Sequence, residues 1–252
     1  MTILVLAGSA EARAVIAALR EAGAPTIASL AGVTRRPAPL GVPTWRGGFG
    51  GAEPMARRLR EAGVRVVVDA THPFARRISA RTAEICDRLG VARIALVRPP
   101  WREPEPGAWR RFATLEAALE ALPAGARVLA ALGAGATARL GARPDLRFLA
   151  RVAEAPAPDA PPPPPNVELI ARRPPLSESD ERALMREAGI DILLTRNSGG
   201  PADAKLAAAR ALGVEIAMID RPPPPPPPHA RDAAEAAAWA LARWRERAAP
   251  SA

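Results

Sequence analysis

The stretch VRVVVDATHPFA, residues 64–75, decides how the chain is read. An almost unbroken apolar run, VRVVV, leads into Asp69 and Ala70, and Thr71, His72 and Pro73 then interrupt it ahead of a helical pattern over 75–89. Strand, turn and helix in that order are the parts of a βα unit, and repeated units of this kind build a parallel sheet. Pro73 suits the first turn of the following helix, which places Thr71 and His72 near its N-cap. The turn lies at the carboxyl end of a strand, where open α/β sheets bind ligands.

The same alternation extends outward from this point. TILVLA (2–7), TIASLA (26–31) and ARIALV (92–97) read as strands, with helices predicted over 11–21 and 52–62. Beyond the proline-rich RPPWREPEPGAW (98–109), strands are predicted at RVLAAL (127–132), RFLARV (147–152), VELIA (167–171), DILLT (191–195) and EIAMI (215–219). Helices fall between them near 114–121, 135–141, 177–188 and 201–212, and a final helix over 230–247 follows the proline run at 222–228. The expected organisation is α/β: a first half over 1–98, a hinge or crossover over 99–112, and a second half over 113–252, with a ligand cleft between the halves. The proline runs at 155–166 and 222–228 read as extended spacers without a chemical role.

Composition narrows the function. Of 252 residues, 48% are hydrophobic, enough for a sizeable core and too many for a disordered chain. No stretch of eighteen apolar residues occurs, and Glu11 and Arg13 break the opening apolar run, so neither a membrane span nor a signal peptide is expected. Cys86 is the only cysteine, which excludes an internal disulfide and a paired-cysteine zinc or redox site; no metal is expected. A cytoplasmic protein is the plain reading. The net charge of +9 comes from arginines scattered through every helix, without a basic tail or interleaved aromatics. A nucleic-acid partner is not expected; such a field equally suits a small ligand carrying several carboxylates or phosphates.

Four clusters could carry chemistry. LAGSAEAR (6–13) follows the first strand and opens a helix: Gly8 permits a tight turn, and Ser9 can cap the helix or donate to a phosphate. After the second strand stand Thr34, Arg35 and Arg36 with no acidic residue, so a bound dinucleotide would be NADPH rather than NADH; a solvated arginine pair is the alternative. RGGFGG (46–51), with Gly48 and Phe49, lets backbone approach a ligand. TRNSGGPADAK (195–205) places Arg196, Asn197, Ser198, Gly199 and Gly200 after a strand, with Lys205 in the helix beyond. Lys205 is the only lysine of an arginine-rich chain, and it supplies a compact ammonium that a guanidinium does not mimic.

Together LAGSAEAR, GGFGG, DATHPFA, RPPW (98–101), RNSGG with Lys205, and the late Arg221-Pro222 resemble the precorrin-6A reductase family of corrin-ring (vitamin B12) biosynthesis, which acts on metal-free or cobalt-containing rings. The departures are Ala7-Gly8-Ser9 where the family usually has two glycines and a threonine, Arg196 where it often has lysine, and RPPLS (173–177) where it has a GPF-like segment. The resemblance implies two Rossmann-like parallel-sheet halves and NADPH-dependent reduction of one ring double bond by hydride plus a proton. It also implies a polycarboxylate tetrapyrrole substrate and other enzymes of the corrin pathway as possible partners. On that basis Gly8, Ser9, Glu11, Arg13, Thr34, Arg35, Arg36, Thr71, His72, Pro73 and Phe74 are expected to hold the cofactor. Gly48, Phe49, Arg196, Asn197, Ser198, Gly199, Gly200 and Lys205 are expected to hold the substrate. Lys205 and His72 are the catalytic candidates, with water as a third possible proton donor. A non-catalytic NADP-binding sensor or tetrapyrrole carrier, and a reductase of a small carbonyl or imine, are the rival readings.

Overall fold

The structure, a computed structural model, describes residues 1–32, 38–173 and 175–248. From the amino terminus the chain forms β1 (Thr2–Ala7), α1 (Ala10–Glu21), β2 (Thr26–Leu30), β3 (Thr44–Arg46), α2 (Ala52–Glu61), β4 (Val64–Ala70), α3 (Arg76–Leu89) and β5 (Ala92–Leu96). It continues through β6 (Arg110–Phe112), α4 (Leu115–Ala121), β7 (Arg127–Ala131), a 3₁₀ turn at Ala134–Ala136, α5 (Thr137–Leu140), β8 (Arg147–Val152), β9 (Val167–Ala171) and α6 (Glu178–Glu187). Then come β10 (Ile192–Arg196), α7 (Ala204–Leu212), β11 (Glu215–Ile219), β12 (His229–Ala230) and α8 (Ala233–Ala248).

Two compact units result, Met1–Pro99 with Pro222–Ala252, and Pro100–Arg221. Each contains one six-stranded sheet in which every pairing is parallel, with orders β12-β5-β4-β1-β2-β3 and β6-β11-β10-β7-β8-β9. Both orders run outward in two directions from a central strand, β1 in the first and β7 in the second, as in the doubly wound Rossmann-like fold. The expected α/β class with two Rossmann-like halves is what the chain forms.

The strands read as apolar runs because helices cover both faces of a parallel sheet. Alternate residues of β1 serve opposite layers. Ile3 and Val5 pack with Val15, Ile16 and Leu19 of α1 and Ala236 and Ala240 of α8, while Leu4 and Leu6 pack with Met55 and Leu59 of α2 and Ile85 and Cys86 of α3. The buried positions of α1, Ala12, Val15, Ile16 and Leu19, recur at helical spacing, and each large side chain so buried contributes about 1.5–3 kcal/mol. In the second unit, Leu129, Leu193, Ile216 and Met218 pack under Leu184 and Met185 of α6 and Leu206, Ala208 and Ala209 of α7.

Four features depart from the sequence reading. The final helix, expected with the second half, is α8 of the first unit and packs against α1. The proline run ahead of it is not a bare spacer: Arg93 Nη2 donates to the carbonyls of Pro226 (2.8 Å) and Pro227 (3.1 Å), and β12 then adds to β5 as the edge strand. The segment expected as a hinge carries β6, which pairs with β11 in the second sheet. Lastly, α3 begins at Arg76, so Pro73 stands in a turn closed by Ala75 N–H donating to His72 O at 2.7 Å. Proline fits that turn because its fixed φ suits the second position.

Candidate functional site

In the first unit, LAGSAEAR and DATHPFA come together at the carboxyl ends of adjacent strands. Leu6 is in register with Asp69 and Ala7 with Ala70, and the strand order reverses between β1 and β4. That reversal opens a crevice above the sheet, the usual ligand position in such folds. The Ser9 hydroxyl donates to Ala70 O at 2.9 Å and accepts from Ala12 N–H at 3.3 Å, so it caps α1 and ties its turn to the end of β4. Its proton lies on Ala70 O, and capping α1 is one of the two roles expected of Ser9. Gly8 does not carry a left-handed φ. A Cβ there would lie 3.4 Å from His72 N and 3.5 Å from Thr71 Cα, so its bareness keeps open the gap between the two turns rather than permitting the turn itself.

Asp69 organises the second wall. It is 3% exposed, and its Oδ1 accepts from Thr71 N–H (3.2 Å) and Thr71 Oγ1 (2.7 Å). Since the Thr71 proton is spent there, Ser79 Oγ donates to Thr71 Oγ1 at 3.2 Å. Oδ2 of Asp69 is buried and has no hydrogen-bond partner among the described residues. His72 Nδ1 accepts from Phe74 N–H at 3.3 Å, which leaves the neutral ring protonated on Nε2, and the two rings lie 5.8 Å apart. Thr71 to Phe74 are all half-buried at this turn.

Two further cofactor candidates, Glu11 and Arg13, stand on α1 beyond the Ser9 cap. Glu11, in the first turn of α1, pairs with Arg98 Nη1 at 2.7 Å, its side chain 18% exposed, so the carboxylate charge is balanced beside the helix N-terminus. Arg13 reaches the carbonyls of Pro39 and Ala38 at 3.4 and 3.5 Å. Thr34, Arg35 and Arg36 lie outside the described residues. Gly48 and Phe49 belong to the loop after β3 at the edge of this same sheet, two strands from β1. Phe49 meets Trp45 edge-on at 6.1 Å, and Arg58 covers Trp45 at 4.2 Å.

The other substrate candidates are gathered in the second unit, at the carboxyl end of β10. Gly199 (φ 64°) and Gly200 (φ 75°) take left-handed conformations that a side chain would strain. Asn197, 5% exposed, spends its amide on Trp101: Oδ1 accepts from Trp101 N–H at 2.9 Å and Nδ2 donates to Trp101 O at 3.1 Å. The indole Nε1 donates to Gly200 O at 2.8 Å. Arg221 pins the turn from the other side, donating to Asn197 O (3.2 Å) and Ser198 O (2.8 Å). Lys205, 7% exposed, donates to Ala202 O and sets its ammonium 4.2 Å from the Trp101 ring centre. Arg196 is held below the usual guanidinium range by burial and then by the nearby Arg139, itself paired with Glu116.

Sequence reasoning passed over several of these groups. Trp101 and Arg221 entered only as parts of short motifs, and Asp69 only as the end of a strand. A plainer signal was also available. GAGATA (133–138) follows β7, the strand at which the second sheet's order reverses, and it matches the G-x-G-x-x-A form of a phosphate-binding turn. Gly133 there has φ 76° and open space where a Cβ would stand.

Comparison with known proteins gives concordant results. The model of the family described as precorrin-6x reductase CbiJ/CobK matches residues 2–241. The chain is 44% identical over 243 residues to a precorrin-6A reductase of Rhodococcus erythropolis, covering 94% of this chain and 96% of that one. It is 43% identical over 224 residues to the Mycobacterium tuberculosis precorrin-6A reductase (87% and 88% covered). A cobalt-precorrin-6A reductase of Priestia megaterium is 28% identical over 246 residues, covering 87% and 90%. The solved structure of CobK precorrin-6A reductase superposes with a TM-score of 0.89 at 35% identity, over 96% of this chain and 97% of that one.

Proposed function

The chain belongs to the precorrin-6x reductase family, and from that premise we infer an oxidoreductase of cobalamin biosynthesis that reduces a carbon–carbon double bond of precorrin-6A, with NADPH as the hydride donor. The reaction adds one hydride and one proton across the double bond and converts NADPH to NADP⁺. When bound, the nicotinamide supplies the hydride, and the protein's share is binding, orientation and management of the proton.

The observation that carries the cofactor assignment is the Ser9–Ala70 bond, which fuses the turn after β1 with the turn after β4 at the reversal of strand order. Gly8 keeps the gap between these turns free of a side chain, and the amino end of α1 offers N–H groups and a positive dipole end to a pyrophosphate. Glu11 adds no uncompensated negative charge there because Arg98 pairs with it. Thr71, His72, Pro73 and Phe74 form the other wall, and Arg35 and Arg36 are the residues assigned to the 2′-phosphate. In the second unit, Arg196 and Lys205 supply fixed positive charge for carboxylates of the ring. Lys205 and His72 are the groups able to deliver the proton. No helix among the described residues is long and apolar enough to cross a membrane.

The deciding experiment is anaerobic incubation with NADPH and metal-free precorrin-6A, following NADPH loss and product mass. A product heavier by two hydrogens with equimolar NADPH consumption is expected. Binding of both ligands with no turnover, on this ring and on its cobalt form, would overturn the reading in favour of a carrier or sensor. For the cofactor, replacing Arg35 and Arg36 together by alanine should erode the preference for NADPH over NADH; an unchanged preference removes them from the 2′-phosphate site.

A further inference from the structure

We propose that Trp101 is a positioning residue for the reduction: its indole face fixes the ammonium of Lys205, and Asn197 fixes Trp101. This rests on the reading of Lys205 as a substrate-facing group.

Trp101 follows Pro99-Pro100 in a stretch outside any helix or strand, so no ladder of backbone hydrogen bonds holds it. Asn197 supplies the equivalent. Its side-chain amide takes both backbone groups of Trp101, as a neighbouring strand would, although the two residues are 96 positions apart. The third bond, indole Nε1 to Gly200 O, sets the rotation of the ring. A nearly buried asparagine, a left-handed glycine turn and an indole N–H are thereby committed to the orientation of one aromatic face.

What that face meets is the ammonium of the chain's only lysine, 4.2 Å from the ring centre. A cation within about 6 Å of an aromatic centre is attracted by the negative ring face, most strongly to tryptophan and most of all when desolvated. Lys205 is desolvated, at 7% exposure. The ring face stabilises the charge where it stands. The ammonium is therefore held in one place, by the indole face and by the Ala202 carbonyl. An arginine would spread its charge over a plane and stack on the indole, which accounts for lysine at this one position.

The test is steady-state reduction of precorrin-6A by W101L, W101F, K205M and the W101L/K205M pair, with folding checked by thermal melting. K205M is expected to be strongly impaired. W101L should lower kcat about tenfold with KM for NADPH unchanged, and W101F, which keeps a π-face and loses the Gly200 bond, should recover most of that loss. In the K205M background, W101L should cost less than about twofold, because the interaction it removes is already gone. If W101L does not fold, trifluorotryptophan at 101 keeps the shape and the indole N–H while weakening the ring face, and it should still lower kcat. Equal losses from W101L in both backgrounds, or full activity with trifluorotryptophan, would overturn the positioning role alone. Full activity of K205M would overturn the reading of Lys205 on which it rests, and the proposal with it.

Discussion

Ser9 Oγ lies 2.9 Å from the carbonyl oxygen of Ala70, and through that bond the first turn of the chain is fastened to a strand end 61 residues away. The same oxygen caps α1 through Ala12 N–H. A single hydroxyl thus sets both where the helix starts and how far it stands from the Thr71–Phe74 wall.

Replacing Ser9 by alanine should cost about 1 kcal/mol for the lost cap and about 1 kcal/mol for the lost bond to Ala70. Urea unfolding reads the stability, and steady-state kinetics should show KM for NADPH raised several-fold with kcat little changed. Ser9→Thr should preserve both, since its hydroxyl can occupy the same place. An alanine variant with unaltered KM would separate this turn from the cofactor.

Arg151 and Glu181 form an ion pair at 2.5 Å with both side chains 4% exposed, and Glu181 Oε2 has no hydrogen-bond partner among the described residues. Removing one member leaves the other charge buried alone. Glu181→Leu should therefore destabilise by about 3–5 kcal/mol, while Arg151→Met with Glu181→Leu should regain most of it. Denaturant midpoints of the three proteins decide the matter, and an additive double variant would contradict it.

Burial pushes the Cys86 thiol up to about 12 from its ordinary 9.0, against the pull of Arg93 and helped by Asp87 and Asp69. The folded state then holds a proton that the unfolded chain releases, so the stabilising contribution is complete below the unfolded value and is lost as pH rises from about 9 to 12. Cys86→Ala should lower stability at neutral pH through lost packing yet flatten its decline across that alkaline window. In the native protein the thiol should resist alkylation at about pH 8 until the chain unfolds.

Arg196 carries its charge at a cost set by burial and by the neighbouring Arg139. An anion would relieve that cost. Arg196→Gln should raise KM for precorrin-6A about tenfold, and KM should climb more steeply with added salt in the parent than in the variant. Identical salt dependence in both would remove Arg196 from carboxylate binding.

Much of this was legible in the order of residues because its physics is local. Helical and strand periods, the apolar strands of a parallel sheet, and the turn residues after β1, β4 and β10 all lie within short windows. The three short strands β3, β6 and β12 were not legible. Strands of two or three residues show no period, and only pairing with a distant partner defines them.

The sequence by itself determined the α/β class, the run of βα units and the motifs at their turns, because propensity, capping and hydrophobic period act between near neighbours. Tertiary structure alone decided that α8 and the proline run return to the first sheet, since apolar faces and carbonyls are satisfied only where α1, β5 and Arg93 await them. It likewise decided that Ser9 bonds to Ala70 and that Asn197 bonds to Trp101. A side-chain hydrogen bond reaches only about 3 Å, so its partner is fixed by the packing of the fold and not by neighbours in the chain.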